Sequence, residues 1–167
     1  MSRSAERPLR AAMAIAALVV AVDQITKAWA LAVLSDRDPI GVVWTLQWNL
    51  AFNKGMAFSA GQGIGPIIGV VATVIAIGVL VAVRSQTSRT VVCAAGLVVG
   101  GALGNVVDRV MRDEGWLRGS VVDFIDLQWF PIFNVADMAV NVGGGLFIIW
   151  SLRADRAARR SKIAAPQ

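Results

Sequence analysis

The sequence predicts an all-α membrane protein of four transmembrane helices, and three observations carry that prediction. Hydrophobic residues fill 56% of the 167 positions and charged residues only 16%, too apolar a mixture for an ordinary soluble domain. Four apolar runs, at about 9–34, 66–83, 91–107 and 133–152, approach or exceed the length needed to cross ~30 Å of hydrocarbon at about 1.5 Å per residue. The Lys and Arg residues gather at the chain ends and in one short connection, with no aromatic interleaving, which argues against a nucleic-acid surface. The whole of 1–167 is expected to be a single integral membrane domain.

The first helix follows a basic start, Arg3, Arg7 and Arg10. Its apolar run Ala11 to Val22 is the length of a signal-peptide core, but no small-x-small cleavage site closes it. Asp23, Gln24 and Lys27 follow, and apolar residues resume to Leu34, so one helix is expected over 9–34. Asp23 and Lys27 stand at i, i+4, the spacing of an internal ion pair that supports the helix.

The segment 35–65 differs in kind. Asp36, Arg37, Asp38 and Pro39 break the helix, and Val42, Trp44, Leu46, Trp48 and Leu50 then alternate with the period of a strand, which places small β elements there. Trp44 and Trp48 suit headgroup level, where an amphipathic ring finds both surroundings it needs. The run Asn53 to Ser59 mixes turn-forming Asn and Gly with aromatics and is a candidate binding surface.

The second span carries no charge. In the third, Gly96, Gly100 and Gly104 recur every four residues and Gly101 widens the face they make, a surface for close helix packing. Asn105, Asp108 and Arg109 project from one side of its end, at i, i+3 and i+4. A polar loop separates it from Asp123, at a loop edge, and from the fourth span, where Asn134, Asp137 and Asn141 share one helical stripe. Asp137 lies in an apolar stretch where a lipid-facing charge would cost several kcal/mol, so it should face protein or water.

Charge sets the orientation. The N-terminus, the connection with Arg84 and Arg89, and the tail with Arg153, Arg156, Arg159, Arg160 and Lys162 share one side and hold 10 Lys/Arg against the 2 acids Glu6 and Asp155. The positive-inside rule makes that side cytoplasmic. Segments 35–65 and 110–132, with Asp23, Asp108, Asp123 and Asp137, then lie in the outer half or outside.

The chain has no histidine and a single cysteine, Cys93, within an apolar run. That excludes HExxH zinc sites, disulfide frameworks, and Ser/His or Cys/His nucleophilic pairs. Two carboxyl groups held close can still activate water against a peptide, because like charges at short range cannot both ionise: one takes the water's proton while the other donates to the carbonyl oxygen. No metal or cofactor is needed, and Asp123 with Asp137 is the pair best placed. Two other readings stay open on the residues alone. One is a hydroxyl/lysine protease using Ser59 with Lys54, or Ser120 with a nearby base. The other is a small transporter or assembly subunit whose buried acids carry protons or pair with Arg109.

Five blocks, in this order and number, make a more specific match: Asp23-Gln24 with Lys27, Asn53-Lys54-Gly55-Met56-Ala57-Phe58-Ser59, Gly100 to Arg109, Val121-Val122-Asp123-Phe124, and Phe133-Asn134-Val135-Ala136-Asp137. Together they resemble the bacterial lipoprotein signal peptidase family, also called signal peptidase II. The resemblance implies an intramembrane aspartyl protease of the bacterial cytoplasmic (inner) membrane, with four helices, a small extracytoplasmic β cradle between helices 1 and 2, and an active site near the outer face. It implies diacylglyceryl-modified prolipoproteins as substrates, cut before the lipid-bearing cysteine, and inhibition by globomycin. By the same resemblance Asp123 and Asp137 are the catalytic aspartates. Asn105, Asp108, Arg109 and Asn134 line the site and hold the dyad or the substrate; Asn53 and Gly101 stand near bound lipopeptide; Asp23, with Lys27, is structural support. Two departures are mild: a third acid, Asp126, expected as a solvated loop charge, and Met138 after the second aspartate.

Overall fold

A computed structural model describes residues 3–55, 64–112 and 115–164. Among them are four long helices, α1 (Arg3–Leu34), α2 (Gly65–Val83), α3 (Arg89–Met111) and α4 (Val135–Ala164), and three strands, β1 (Ile40–Val43), β2 (Leu46–Asn53) and β3 (Val121–Asp126). Each helix is long and apolar enough to cross a membrane. α3 is the central one, packed on α1, α2 and α4, and half of its apolar window is buried against 17–22% for the others.

The glycine face of α3 explains its place. A Cβ on Gly96, Gly100 or Gly104 would come within 2.7 Å of Ile15, Val19 or Asp23 of α1, so all three let the helices approach. Gly101 faces the other way, where a Cβ would run into the Ala136 carbonyl and Val140 of α4. α2, by contrast, leaves Ile67, Val71, Val74 and Ile77 at least half exposed, a surface that needs hydrocarbon around it.

The helices outrun the apolar runs at their polar ends. α4 continues as helix through Arg153, Arg156 and Arg159, because Arg and Ala are strong helix formers: polarity ended the span without ending the helix.

The sheet is antiparallel in the order β1-β2-β3. Two strands come from the connection between α1 and α2, as the alternation there predicts. The third comes from the connection between α3 and α4, where the sequence suggested a loop edge, and β2 pairs it with Ala51 opposite Asp123. Val121, Val122, Asp123 and Phe124 are all buried, so this strand carries no in/out alternation for a sequence to reveal. Phe124 joins Ala30 and Leu34 in a core patch that seats the sheet on the end of α1.

Candidate active site

The site is assembled where β2, β3, α3 and the first turn of α4 meet. Asn134 precedes α4 as its N-cap. Its side-chain Oδ1 accepts the N–H of Asp137 at 3.0 Å, while the Asp137 carboxylate Oδ2 accepts the N–H of Asn134 at 3.2 Å. This is a reciprocal capping box written with Asn and Asp, and it fixes the Asp137 carboxyl at the helix N-terminus, where the dipole favours negative charge. The Asn134 amide nitrogen donates at 2.6 Å to Asp123 Oδ1, and contacts Asn105 Oδ1 at 3.1 Å and the Val122 carbonyl at 3.3 Å. One asparagine therefore holds both aspartates.

Each aspartate has a second amide donor. Asn53, the last residue of β2, donates to Asp123 Oδ2 at 3.2 Å, and Asn105 of α3 donates to Asp137 Oδ1 at 2.9 Å. Both carboxylates line one cavity of about 860 Å³, as do Asn53, Asn105 and Arg109. Asp123 is 3% exposed. Burial, then repulsion from Asp137, pushes its carboxyl up to about 7, against the pull of the hydrogen bonds from Asn53 and Asn134. At neutral pH this group can hold a proton.

Arg109 is 5% exposed and donates from Nη2 to the Gly55 carbonyl at 3.1 Å. Its Nη1 is the one buried side-chain nitrogen or oxygen among the described residues with no hydrogen-bond partner, and the residue borders the cavity. A donor left open beside two carboxylates suits a carbonyl oxygen supplied by a substrate.

Behind the site lies a fully buried ionic network. Lys27 Nζ sits 2.8 Å from Asp23 Oδ2, 2.9 Å from Asp108 Oδ2 and 2.9 Å from Asn105 Oδ1, so its three protons are used. Asp23 also accepts the Ala136 N–H at 2.9 Å, in the first turn of α4, and Asp108 accepts the Val122 N–H at 3.1 Å. Asp108 further takes the guanidinium of Arg112 at 2.7 Å and the amide of Gln24 at 3.1 Å. The expected Asp23–Lys27 pair is present; its third partner, Asp108, belongs to another helix, which local spacing could not show. Gly101 contributes only backbone closeness to α4 beside Asp137.

Asp126 corrects an expectation. It is 6% exposed at the end of β3 and accepts from Gln47 at 2.8 Å, Asn49 at 2.9 Å and the Gln128 N–H at 2.7 Å, so it is a buried knot and not a solvated loop charge. Of the hydroxyl/lysine candidates, Lys54 is exposed and lacks the desolvation a lysine base requires, Ser120 is half-buried before β3, and Ser59, with the rest of 56–63, lies outside the described residues.

A family model described as signal peptidase (SPase) II matches residues 15–153. A lipoprotein signal peptidase of Mycolicibacterium smegmatis is 40% identical over 86% of this chain, which spans 61% of that relative's length. One from Mycobacterium avium is 38% identical over 93% of this chain and 88% of its own. Two solved structures of a bacterial membrane enzyme superpose with TM-scores of 0.74 and 0.72 at 31% identity, covering 85% and 84% of this chain and 87% and 92% of theirs.

Proposed function

The chain belongs to the signal peptidase II family, and on that footing we propose that it is an aspartic endopeptidase of the bacterial cytoplasmic membrane, removing signal peptides from diacylglyceryl-modified prolipoproteins. The observation that carries the mechanism is the single Asn134 side chain bridging to Asp123 while its own capping box holds Asp137, with both carboxyls in one cavity. Asp123, protonated below about pH 7, donates to the scissile carbonyl oxygen; Asp137 takes a proton from the attacking water. The gem-diol intermediate then collapses: the leaving amine gains that proton from Asp137 as the C–N bond breaks, and Asp123 takes a proton back from a gem-diol hydroxyl, which leaves a carboxylic acid and restores the dyad. Arg109 Nη1 and the Asn105 and Asn53 amides hold the peptide.

The bond cut is the one on the N-terminal side of the lipid-modified cysteine, and the site works at the outer face with both termini cytoplasmic. The positive charge of the chain ends supports that orientation. Globomycin-type cyclic peptides compete for the same cavity. The deciding experiment uses purified protein and a diacylglyceryl-modified prolipoprotein. Wild type cleaves it, while Asp123→Asn and Asp137→Asn keep their helicity and melting temperature and leave it whole. Turnover by either variant at the wild-type rate would remove the dyad from the mechanism.

A further inference from the structure

Two walls of the catalytic cavity are apolar: α2 supplies one with Ile68, Gly69, Ala72 and Ile75, and the connection between β3 and α4 supplies the other. Leu127, Trp129, Phe130, Pro131, Ile132 and Phe133 line this second wall in near-unbroken sequence; none carries a charge, amide or hydroxyl, and their one polar side-chain group is the Trp129 indole N–H. Every charged or amide side chain lining the cavity comes instead from β2, β3, α3 or α4. Trp129 is 72% and Phe130 51% exposed, yet both are ordered by edge contacts, Trp129 to Phe130 at 6.1 Å and Phe130 to Phe133 at 5.8 Å.

The wall is also pinned at both ends. Phe133 exchanges backbone hydrogen bonds with Ile125 at 2.9 and 3.1 Å. At the other end Gln128 adopts a left-handed φ of +67, held there by its N–H on Asp126 Oδ1, and Asp126 is itself fixed by Gln47 and Asn49 of β2. A non-glycine residue adopts that conformation only against steric resistance, so the knot is what keeps the loop aimed. Nothing in the proposed chemistry needs Asp126; the loop does.

We propose that the 127–133 wall, aimed by Asp126 as a positioning residue, seats the hydrocarbon of the lipid on the substrate's cysteine. This rests on the proposed function. The reason for lipid over peptide is satisfaction of polar groups. A peptide laid on this wall would leave most of its N–H and C=O groups without partners, whereas an acyl chain loses nothing and gains contact with two aromatic faces. The polar side of the same cavity is where a peptide belongs.

The test is tryptophan quenching in the full-length Asp123→Asn protein. It uses two probes: a lipopeptide with bromine on the acyl chains, and the same lipopeptide with bromophenylalanine upstream of the cysteine. Subtracting the signal of an added Trp129→Phe change isolates Trp129. Acyl bromine should quench Trp129 and peptide bromine should not; the reverse pattern, or none, overturns the assignment. In the active enzyme, Trp129→Ala with Phe130→Ala should raise KM for the lipidated substrate about tenfold and leave kcat within about twofold. Asp126→Ala should reproduce that KM rise, and the milder Asp126→Asn should retain part of the acyl quenching. Unchanged quenching and KM in both Asp126 variants would refute the positioning role. Should wild type leave the lipidated substrate uncut, the proposed function fails, while the quenching pattern still reports what the wall holds.

Discussion

Two pairs of carboxylates meet in this protein, and they differ in what stands between them. Asp23 and Asp108 share the Lys27 ammonium, and both accept further backbone N–H groups, so the network is closed on itself. Asp123 and Asp137 are bonded only by amides, Arg109 beside the same cavity of about 860 Å³ keeps one nitrogen unused, and neither carboxylate has an ion pair among the described residues. The first arrangement satisfies its charges and can only hold helices together. The second leaves charge and donor unsatisfied beside open space, which is what a reacting group requires. Identical residue types thus serve opposite ends according to whether a counter-ion is supplied.

Substitution at the cavity-facing pair gives the largest effect. Asp123→Asn or Asp137→Asn should lower the cleavage rate by at least about a thousandfold with little change in melting temperature, read by substrate turnover and thermal unfolding. From the structural side, Lys27→Met leaves two buried carboxylates without their ammonium and should cost about 3–5 kcal/mol, measured as lost folded yield and a lowered unfolding midpoint. Activity should fall only as the folded fraction falls.

The residues that join the two regions test the boundary. Asn105 accepts from Lys27 and donates to Asp137, so Asn105→Ala should lower kcat about a hundredfold and cost about 1–3 kcal/mol of stability, less than Lys27→Met. A stability loss as large as that of Lys27→Met would move Asn105 to the structural side. The smallest effect is pH dependence. Asp123 is raised from 3.8 to about 7, so the protonated acid is lost as pH climbs through that value. Above it the rate should fall about tenfold per pH unit, while an alkaline limb beginning two units higher would deny Asp123 the role of acid.

Much of this was legible in the chain itself. Apolar length gave the helices, and the absence of histidine moved the search for acid/base groups to carboxylates, lysines and hydroxyls, among which Asp123 and Asp137 were the best-placed pair. Asp137 stood out because a charge in an apolar run needs a reason. What stayed hidden was long-range. Strand β3 is buried through its first four positions, which erases the alternation that reveals strands, so Asp123 looked like a loop residue. Asp126 looked solvated because its partners Gln47 and Asn49 lie on β2, 79 and 77 residues away. Nor could the four-residue spacing of Asp23 and Lys27 show that the same ammonium reaches Asp108 on α3.

The bond from the Ala136 N–H to Asp23 ties the first helix to the opening turn of the last. Its consequence concerns synthesis. Every earlier segment can emerge, insert and pair while the cleft still lacks Asp137 and the asparagine that orients its partner. On the proposed function a nascent chain therefore carries no working blade among its membrane neighbours until the fourth helix docks beside the first, so that docking of that helix and onset of reactivity would be one event.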